Sequence, residues 1–185
     1  MLAESGLGPI IAAAGFKPAG SYVMRTMTWR DLDFERVREP PDWDDHWALG
    51  RKLADTGWPW RQVCVDAYRD PRTPGEHGLY WGLRVAPPGG GETWKLDIWT
   101  ARAEEYHREA RERWERLMTE DHRLHVLAIK DAVCRLPEYR RTLISVHIYE
   151  AVLEQGIAGL DEFMDWWRQR IEEKPPAPPK SLAGD

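Results

Sequence analysis

Three aspartates on short apolar segments constrain this chain more than any other feature. Asp31 and Asp33 flank Leu32, and Asp97 interrupts the apolar run of residues 94–99. In an extended strand successive side chains point to opposite faces, so Asp31 and Asp33 share one face while Leu32 points to the other. The same alternation separates Asp97 from its two aliphatic neighbours. We therefore predict that three carboxylates meet on one face if the two strands are adjacent.

A divalent cation is the partner that such a cluster favours. Carboxylates set against apolar surface are costly to leave unpaired, and Mg²⁺ prefers hard oxygen ligands together with water and substrate phosphates. We expect Asp31, Asp33 and Asp97 to bind it. The alternative is structural. Asp31 and Asp33 would then be turn acids in solvated ion pairs with nearby arginines, and Asp97 would pair with Lys95 or with an arginine of a neighbouring strand.

A glycine-serine pair precedes the acids. Gly20-Ser21 is followed, after nine intervening residues, by Asp31-Leu32-Asp33, and much later by Asp97 on a separate segment. This order of motifs resembles the nucleotidyltransferase superfamily of the DNA polymerase β type, which includes enzymes that modify small molecules such as aminoglycosides. The resemblance covers about residues 10–100.

The resemblance implies a two-metal transfer reaction. In that family the Gly-Ser turn holds the terminal phosphates of a nucleoside triphosphate, with the serine hydroxyl and backbone N–H groups as donors. Asp31 and Asp33 would bind the metal that bridges those phosphates. Asp97 would complete a second metal site and help deprotonate the attacking hydroxyl. The implied chemistry is in-line displacement at the α-phosphate, which transfers a nucleoside monophosphate and releases pyrophosphate.

The resemblance also implies which residues bind the nucleotide. Gly20 and Ser21 match the turn itself, and Arg25, Arg30 and Lys95 are candidate charge partners of the triphosphate. The sequence departs from the family pattern at two of these places. No glycine stands just after Arg25, and Arg30 replaces the small hydroxyl residue that often precedes the first aspartate.

Charge balance bears on the acceptor. The chain of 185 residues has 31 acidic and 26 basic side chains and a formal net charge of −5. Sequence-independent binding to nucleic acid favours a basic surface, so this balance disfavours a polynucleotide and favours a small cationic acceptor of the aminoglycoside type. Two alternatives stay open: a tRNA end or a protein hydroxyl as the acceptor, and a non-catalytic module that binds nucleotides or a partner protein with the same fold.

Periodicity predicts an α+β fold in which a mixed β-sheet core with helices packed on it is followed by a C-terminal helical bundle. Residues 62–68, 79–85 and 93–100 have the character of strands, and long helical patterns follow residue 100. We predict a nucleotidyltransferase-like core over residues 1–100 and a helical region over residues 101–172. The proline-rich segment 173–185 is typical of a disordered tail.

Four further expectations follow from the sequence: a cytoplasmic location, free thiols, aromatic stacking on a base and a homodimer surface. No apolar run is long enough to span a bilayer and no secretory leader is evident, so a cytoplasmic location with free thiols is expected. Large aromatic side chains near the acids are candidates to stack on a base: Trp29, Trp81 and Trp99. The adjacent pair Trp166-Trp167 cannot fit one narrow helical stripe and suggests a homodimer surface.

Overall fold

The computed structural model describes residues 1–70, 78–87, 89–103, 108–139 and 141–173. They form two compact units. Unit 1 lies within Met1–Val23 and Trp29–His107, and unit 2 within Met24–Thr28 and Arg108–Asp185. The domain boundaries expected from the sequence stay predictions. Apart from Glu173, which ends the last helix, the expected disordered tail lies outside the described residues.

Unit 1 is built around a five-stranded mixed sheet. The strands run in the order β1-β2-β5-β4-β3, with β2 and β5 parallel and the other neighbours antiparallel. This arrangement confirms the predicted α+β core. The elements in chain order are α1 (Leu7–Ala13), β1 (Lys17–Ala19), α2 (Gly20–Val23), β2 (Asp31–Val37), α3 (Trp43–Asp55), β3 (Pro59–Asp66), β4 (Leu79–Val85) and β5 (Trp94–Ala101).

One face of the sheet forms the core of unit 1 beneath helix α3. Side chains from the three central strands are buried there, and Trp81 of β4 is among them at 5% exposure. His46 of α3 stacks on Trp81 with ring centroids 5.2 Å apart, and Gly50 leaves room for the indole, because a Cβ at Gly50 would lie 2.2 Å from it. The expectation that Trp81 lies near the acids is therefore wrong. Strand alternation groups it with its aliphatic neighbours Leu79 and Leu83 on the opposite face.

A buried arginine ties β2 to the rest of this core. Arg36 is 9% exposed, and its guanidinium donates to Thr100 Oγ1 at 3.0 Å and to the carbonyl of Ala14 at 2.9 Å. It also donates to Asp45, near the start of α3, and lies over the ring of Phe16. One side chain thus joins β2, β5, the end of α1 and the start of α3. Because its charge is paired and hydrogen-bonded, its burial is tolerated.

Unit 2 is a helical bundle, as predicted. Its helices are α4 (Arg108–Leu117), α5 (Glu120–Val133), α6 (Ser145–Gln155) and α7 (Leu160–Glu173). Thr119 caps α5 by accepting from the backbone N–H of His122, and Gly156 ends α6 in the left-handed conformation. In α7, Trp167 is 5% exposed and Trp166 is half-buried. The homodimer expected from this pair stays a prediction.

The short segment Met24–Thr28 is held within unit 2 by a buried lysine. Lys130 of α5 has no exposed surface, and its ammonium donates to the carbonyl of Thr26 at 2.9 Å. The hydroxyls of Thr26 and Tyr149 are 2.7 Å apart, and the Tyr149 ring lies 5.7 Å from the Lys130 Nζ. Residues 24–28 are therefore anchored among the helices of unit 2.

Within the described ranges, every helix is too short or too polar to cross a bilayer. Cys64 and Cys134 are both free thiols.

We expect the substitution Arg36→Ala to lower the free energy of unfolding by about 3 kcal/mol or more, because it strips hydrogen bonds from buried partners and leaves a cavity. The matched control is Arg38→Ala. Arg38 pairs with the same carboxylate, Asp45, but its side chain is 40% exposed, so its loss should cost less than about 1 kcal/mol. Urea unfolding of both variants measures the difference. Equal losses would show that Arg36 does not hold the core together.

Candidate active site

Three carboxylates meet on the face of the sheet opposite α3. The parallel pairing of β2 with β5 puts Asp33 directly beside Asp97 and Asp31 beside Lys95. Because Asp31, Asp33 and Asp97 occupy alternate positions of their strands, all three point to one side. One oxygen from each lies within 4.8 Å of the others, and each side chain is half-buried. The structure therefore brings together the acids that the sequence pattern grouped.

Lys95 lies between two of these acids. Its ammonium is 3.4 Å from Asp31 Oδ1 and is hydrogen-bonded to Asp97 Oδ2. Two aromatic side chains donate to the remaining oxygens of the same pair. Trp29 Nε1 lies 3.2 Å from Asp31 Oδ2, and the Tyr80 hydroxyl lies 2.7 Å from Asp97 Oδ1. Negative charge at the site is thus offset by one cation and two neutral donors.

Asp33 carries the electrostatic cost of this arrangement. Burial, followed by repulsion from Asp31 and Asp97, raises the pKa of Asp33 from 3.8 to about 7, and Lys95 opposes the shift only in part. Near neutral pH the third carboxylate is therefore poised between its protonated and charged forms. A divalent cation would favour the charged form, and the donor set of three carboxylates fits such an ion.

The Gly20-Ser21 turn lies against Asp33. Ala19 at the end of β1 pairs with Asp33, and Gly20 opens helix α2 with φ +63°. A Cβ at Gly20 would lie 2.4 Å from Asp33 Oδ2. Both the left-handed backbone and this close approach require glycine here. Ser21 follows at the first turn of α2 and is half-buried, so the predicted turn lies beside the acids, and its role in phosphate binding stays a prediction.

The remaining predicted charge partners are placed differently. Arg30 is exposed and donates to the Glu92 carbonyl at 3.0 Å, with its guanidinium 5.8 Å from the Trp94 ring. Arg25 is an exposed residue of unit 2 with φ +56°. The backbone at this position favours glycine, and arginine adopts it at a cost. The roles of Arg25 and Arg30 in nucleotide binding stay predictions.

Sequence reasoning missed Tyr80 and the arginines beside it. Tyr80 lies opposite Trp99, and their rings are 4.7 Å apart. Along the same face, Arg84 lies opposite Lys95 and Arg61 lies opposite Arg84. The available signal was the alternation of β4, which puts Tyr80, residue 82 and Arg84 on one side. It becomes informative only once the order of strands in the sheet is known.

Neither a protein-family model nor a curated protein matches the sequence. Among solved structures, a cytoplasmic RNA terminal U-transferase matches with a TM-score of 0.54 and 15% identity over 83% of this chain and 47% of that one. Cid1, described by its RNA terminal uridylyl transferase activity, matches with a TM-score of 0.51 and 16% identity over 77% and 41%. The chain has the nucleotidyltransferase fold. It spans less than half the length of either of these two proteins.

The two structural neighbours bear on which subclass of nucleotidyltransferase the sequence resembles and on its acceptor. Both neighbours are described by RNA terminal uridylyl transfer, and an aminoglycoside-modifying subclass finds no support among them. The expectation that nucleic acid is the less favoured acceptor also runs against these two proteins, which both act on RNA.

The metal-free protein should lose stability as pH rises. The pKa of Asp33 is about 7 in the folded chain and near its ordinary 3.8 when unfolded. Between these values the folded state binds more protons, so the free energy of unfolding falls with rising pH, by a few kcal/mol in total, and levels off above pH 8.

Urea titrations of the wild type, Asp33→Asn and Glu35→Gln at pH 5 and pH 8, each with a chelator, measure this effect. Asp33→Asn should remove most of the slope, whereas Glu35→Gln should retain most of it, because repulsion from Glu35 is the smallest cause of the raised Asp33 pKa. Identical slopes in the wild type and Asp33→Asn would contradict the assigned cause.

Proposed function

We propose that this chain transfers a nucleoside monophosphate from a nucleoside triphosphate to a hydroxyl of an acceptor and releases pyrophosphate. The single observation that carries the proposal is the meeting of Asp31, Asp33 and Asp97 beside the Gly20-Ser21 turn in a nucleotidyltransferase fold. Neither the acids nor the turn alone would indicate nucleotidyl transfer. Together they provide sites for metal ions next to a site for phosphate.

The three carboxylates would hold the divalent cations, of which Mg²⁺ is the one we propose. Their spacing and oxygen chemistry fit a hard cation, and burial together with repulsion from Asp31 and Asp97 raises the pKa of Asp33, which a bound cation would lower. When bound, Mg²⁺ stabilises the charge on the entering and leaving oxygens of an in-line displacement. Ligand exchange at the acids would also free Lys95 from Asp31 and Asp97.

The protein's own residues would orient the two reactants. The backbone N–H groups at Gly20-Ser21 and the Ser21 hydroxyl would donate to the terminal phosphates, and Gly20 permits the close approach. Asp97 would accept the proton of the acceptor hydroxyl. As the hydroxyl oxygen of the acceptor bonds to the α-phosphorus, the bond from that phosphorus to the departing pyrophosphate breaks. Lys95, once released from the acids, would pair with the triphosphate.

A polyanionic acceptor suits the face beside the acids better than a cationic one. Arg61, Arg84 and Lys95 form a cross-strand row next to Asp97, and such a row attracts phosphates and repels an aminoglycoside. The net charge of −5 describes the whole chain and does not describe this row. Since both structural neighbours act on RNA, we propose a terminal hydroxyl of RNA, including tRNA, as the acceptor.

A second candidate function is a non-catalytic nucleotide-binding module. It is favoured by the position of Lys95, because an ammonium between Asp31 and Asp97 supplies the positive charge that a metal would otherwise bring. In such a module the triad would be a stable structural cluster. A cytoplasmic location stays a prediction under either function.

A transfer assay tests the proposal. The protein is incubated with Mg²⁺, each of the four nucleoside triphosphates and one acceptor at a time: an RNA oligonucleotide, a tRNA, an aminoglycoside or a protein. Pyrophosphate release and a lengthened RNA are expected with an RNA acceptor alone. Asp31→Asn and Asp97→Asn should each reduce the rate by about a thousandfold or more, since each removes a ligand needed in the transition state.

The control variant is Glu35→Gln, on the same strand and face, which should keep the wild-type rate within about twofold. Nucleotide binding without turnover on any acceptor would contradict the enzyme and support the non-catalytic module. Transfer to the aminoglycoside alone would overturn the proposed acceptor while leaving the chemistry in place.

A further inference from the structure

Tyr80 reaches the acid cluster because a glycine makes room for it. Along β4, Tyr80 and Gly82 point to the same face, and the residue directly opposite Asp97 is Gly82. A Cβ at Gly82 would lie 2.3 Å from the Tyr80 hydroxyl oxygen. The phenol therefore lies in the space that any other side chain would fill. From there it donates to Asp97 Oδ1 at 2.7 Å.

The phenol is fixed and remains a donor. Its ring packs on Trp99, the residue opposite it on β5, with centroids 4.7 Å apart. Burial, followed by the negative charge of Asp97, raises the pKa of Tyr80 above its ordinary value. The hydroxyl thus stays protonated throughout the physiological range.

The two carboxylate oxygens of Asp97 have different donors, and Oδ1 is the outer oxygen while Oδ2 is the inner one. Tyr80 holds Oδ1, while Oδ2 faces Lys95, whose ammonium also lies 3.4 Å from Asp31 Oδ1. Asp31 follows the same scheme, because Trp29 donates to its Oδ2 at 3.2 Å. In each case a neutral aromatic donor holds one oxygen, and the other lies near the Lys95 ammonium between the two acids.

We propose that Tyr80 is a positioning residue, which uses the space left by Gly82 to fix the inner oxygen of Asp97 toward the other acids. This inference rests on the proposed function and deepens it. Tyr80 would contribute to the transfer step and to metal affinity but not to nucleotide binding. Hydrogen-bond partners of metal ligands contribute about 10- to 100-fold to metal affinity or activity, which sets the expected size of the effect.

The substitution Tyr80→Phe isolates the hydroxyl because the ring can still pack on Trp99. With RNA and nucleoside triphosphate as substrates, kcat should fall about 10- to 100-fold while KM for the triphosphate changes less than about twofold. Gly82→Ala should produce the same changes by displacing the phenol.

The matched control is Tyr68→Phe in the same unit, whose ring lies beneath Arg102 and remains in the variant. It should leave kcat and KM unchanged. Thermal unfolding of each variant separates a positioning role from a loss of structure, and Tyr80→Phe decides alone if Gly82→Ala does not fold.

Titration with Mn²⁺ in the absence of substrates provides a readout independent of turnover. Tyr80→Phe should weaken Mn²⁺ binding about tenfold or more, and Tyr68→Phe should not. If the wild type transfers nucleotide and Tyr80→Phe keeps its kcat and Mn²⁺ affinity, the positioning role is overturned and the proposed function stands. If the wild type shows no transfer, the proposed function fails and the Mn²⁺ titration decides the role of Tyr80.

Discussion

Repulsion among three half-buried carboxylates is the constraint around which unit 1 is organised. Burial, together with the closeness of Asp31 and Asp97, raises the pKa of Asp33 to about 7. The surrounding residues each reduce this cost in a different way. Lys95 supplies positive charge, Trp29 and Tyr80 donate to the outer oxygens, and Gly20 leaves room for Asp33 to stand clear of a neighbouring side chain. A cluster maintained against such repulsion is typical of a site for cations.

The opposite face of β2 provides the rigidity that this cluster needs. Arg36 alternates with the acids along the strand and is bonded to β5, α1 and α3 on the core side. The strand that carries Asp31 and Asp33 is therefore held in place by contacts on the face opposite these acids. Its parallel partner β5 carries Asp97 on one face and buries Leu96 and Ile98 on the other. Precise carboxylate positions follow from apolar and ionic packing that no substrate touches.

Period-two alternation was sufficient to predict which face the acids share, because it depends only on local backbone geometry. It equally assigns Trp81 to the core with Leu79 and Leu83, so the expectation that Trp81 lies near the acids disagrees with the pattern as well as with the structure. Tyr80 could not be found this way, since its contact with Asp97 depends on the order of β4 and β5 and on the space at Gly82. Similarly, the left-handed backbone at Arg25 and the burial of Lys130 arise from tertiary packing that overrides local preference.

The position of β5 in the sheet has a consequence for how the chain reaches its native state. It is the last strand of unit 1 in sequence, yet it lies between β2 and β4. Until residues 94–101 have been synthesised, both neighbouring strands present open edges, which invite pairing with other chains. Insertion of this one strand closes both edges and brings Asp97 to the other acids at the same moment. Nascent or truncated chains that lack β5 should therefore aggregate readily, and cation binding can assist only the final step of folding.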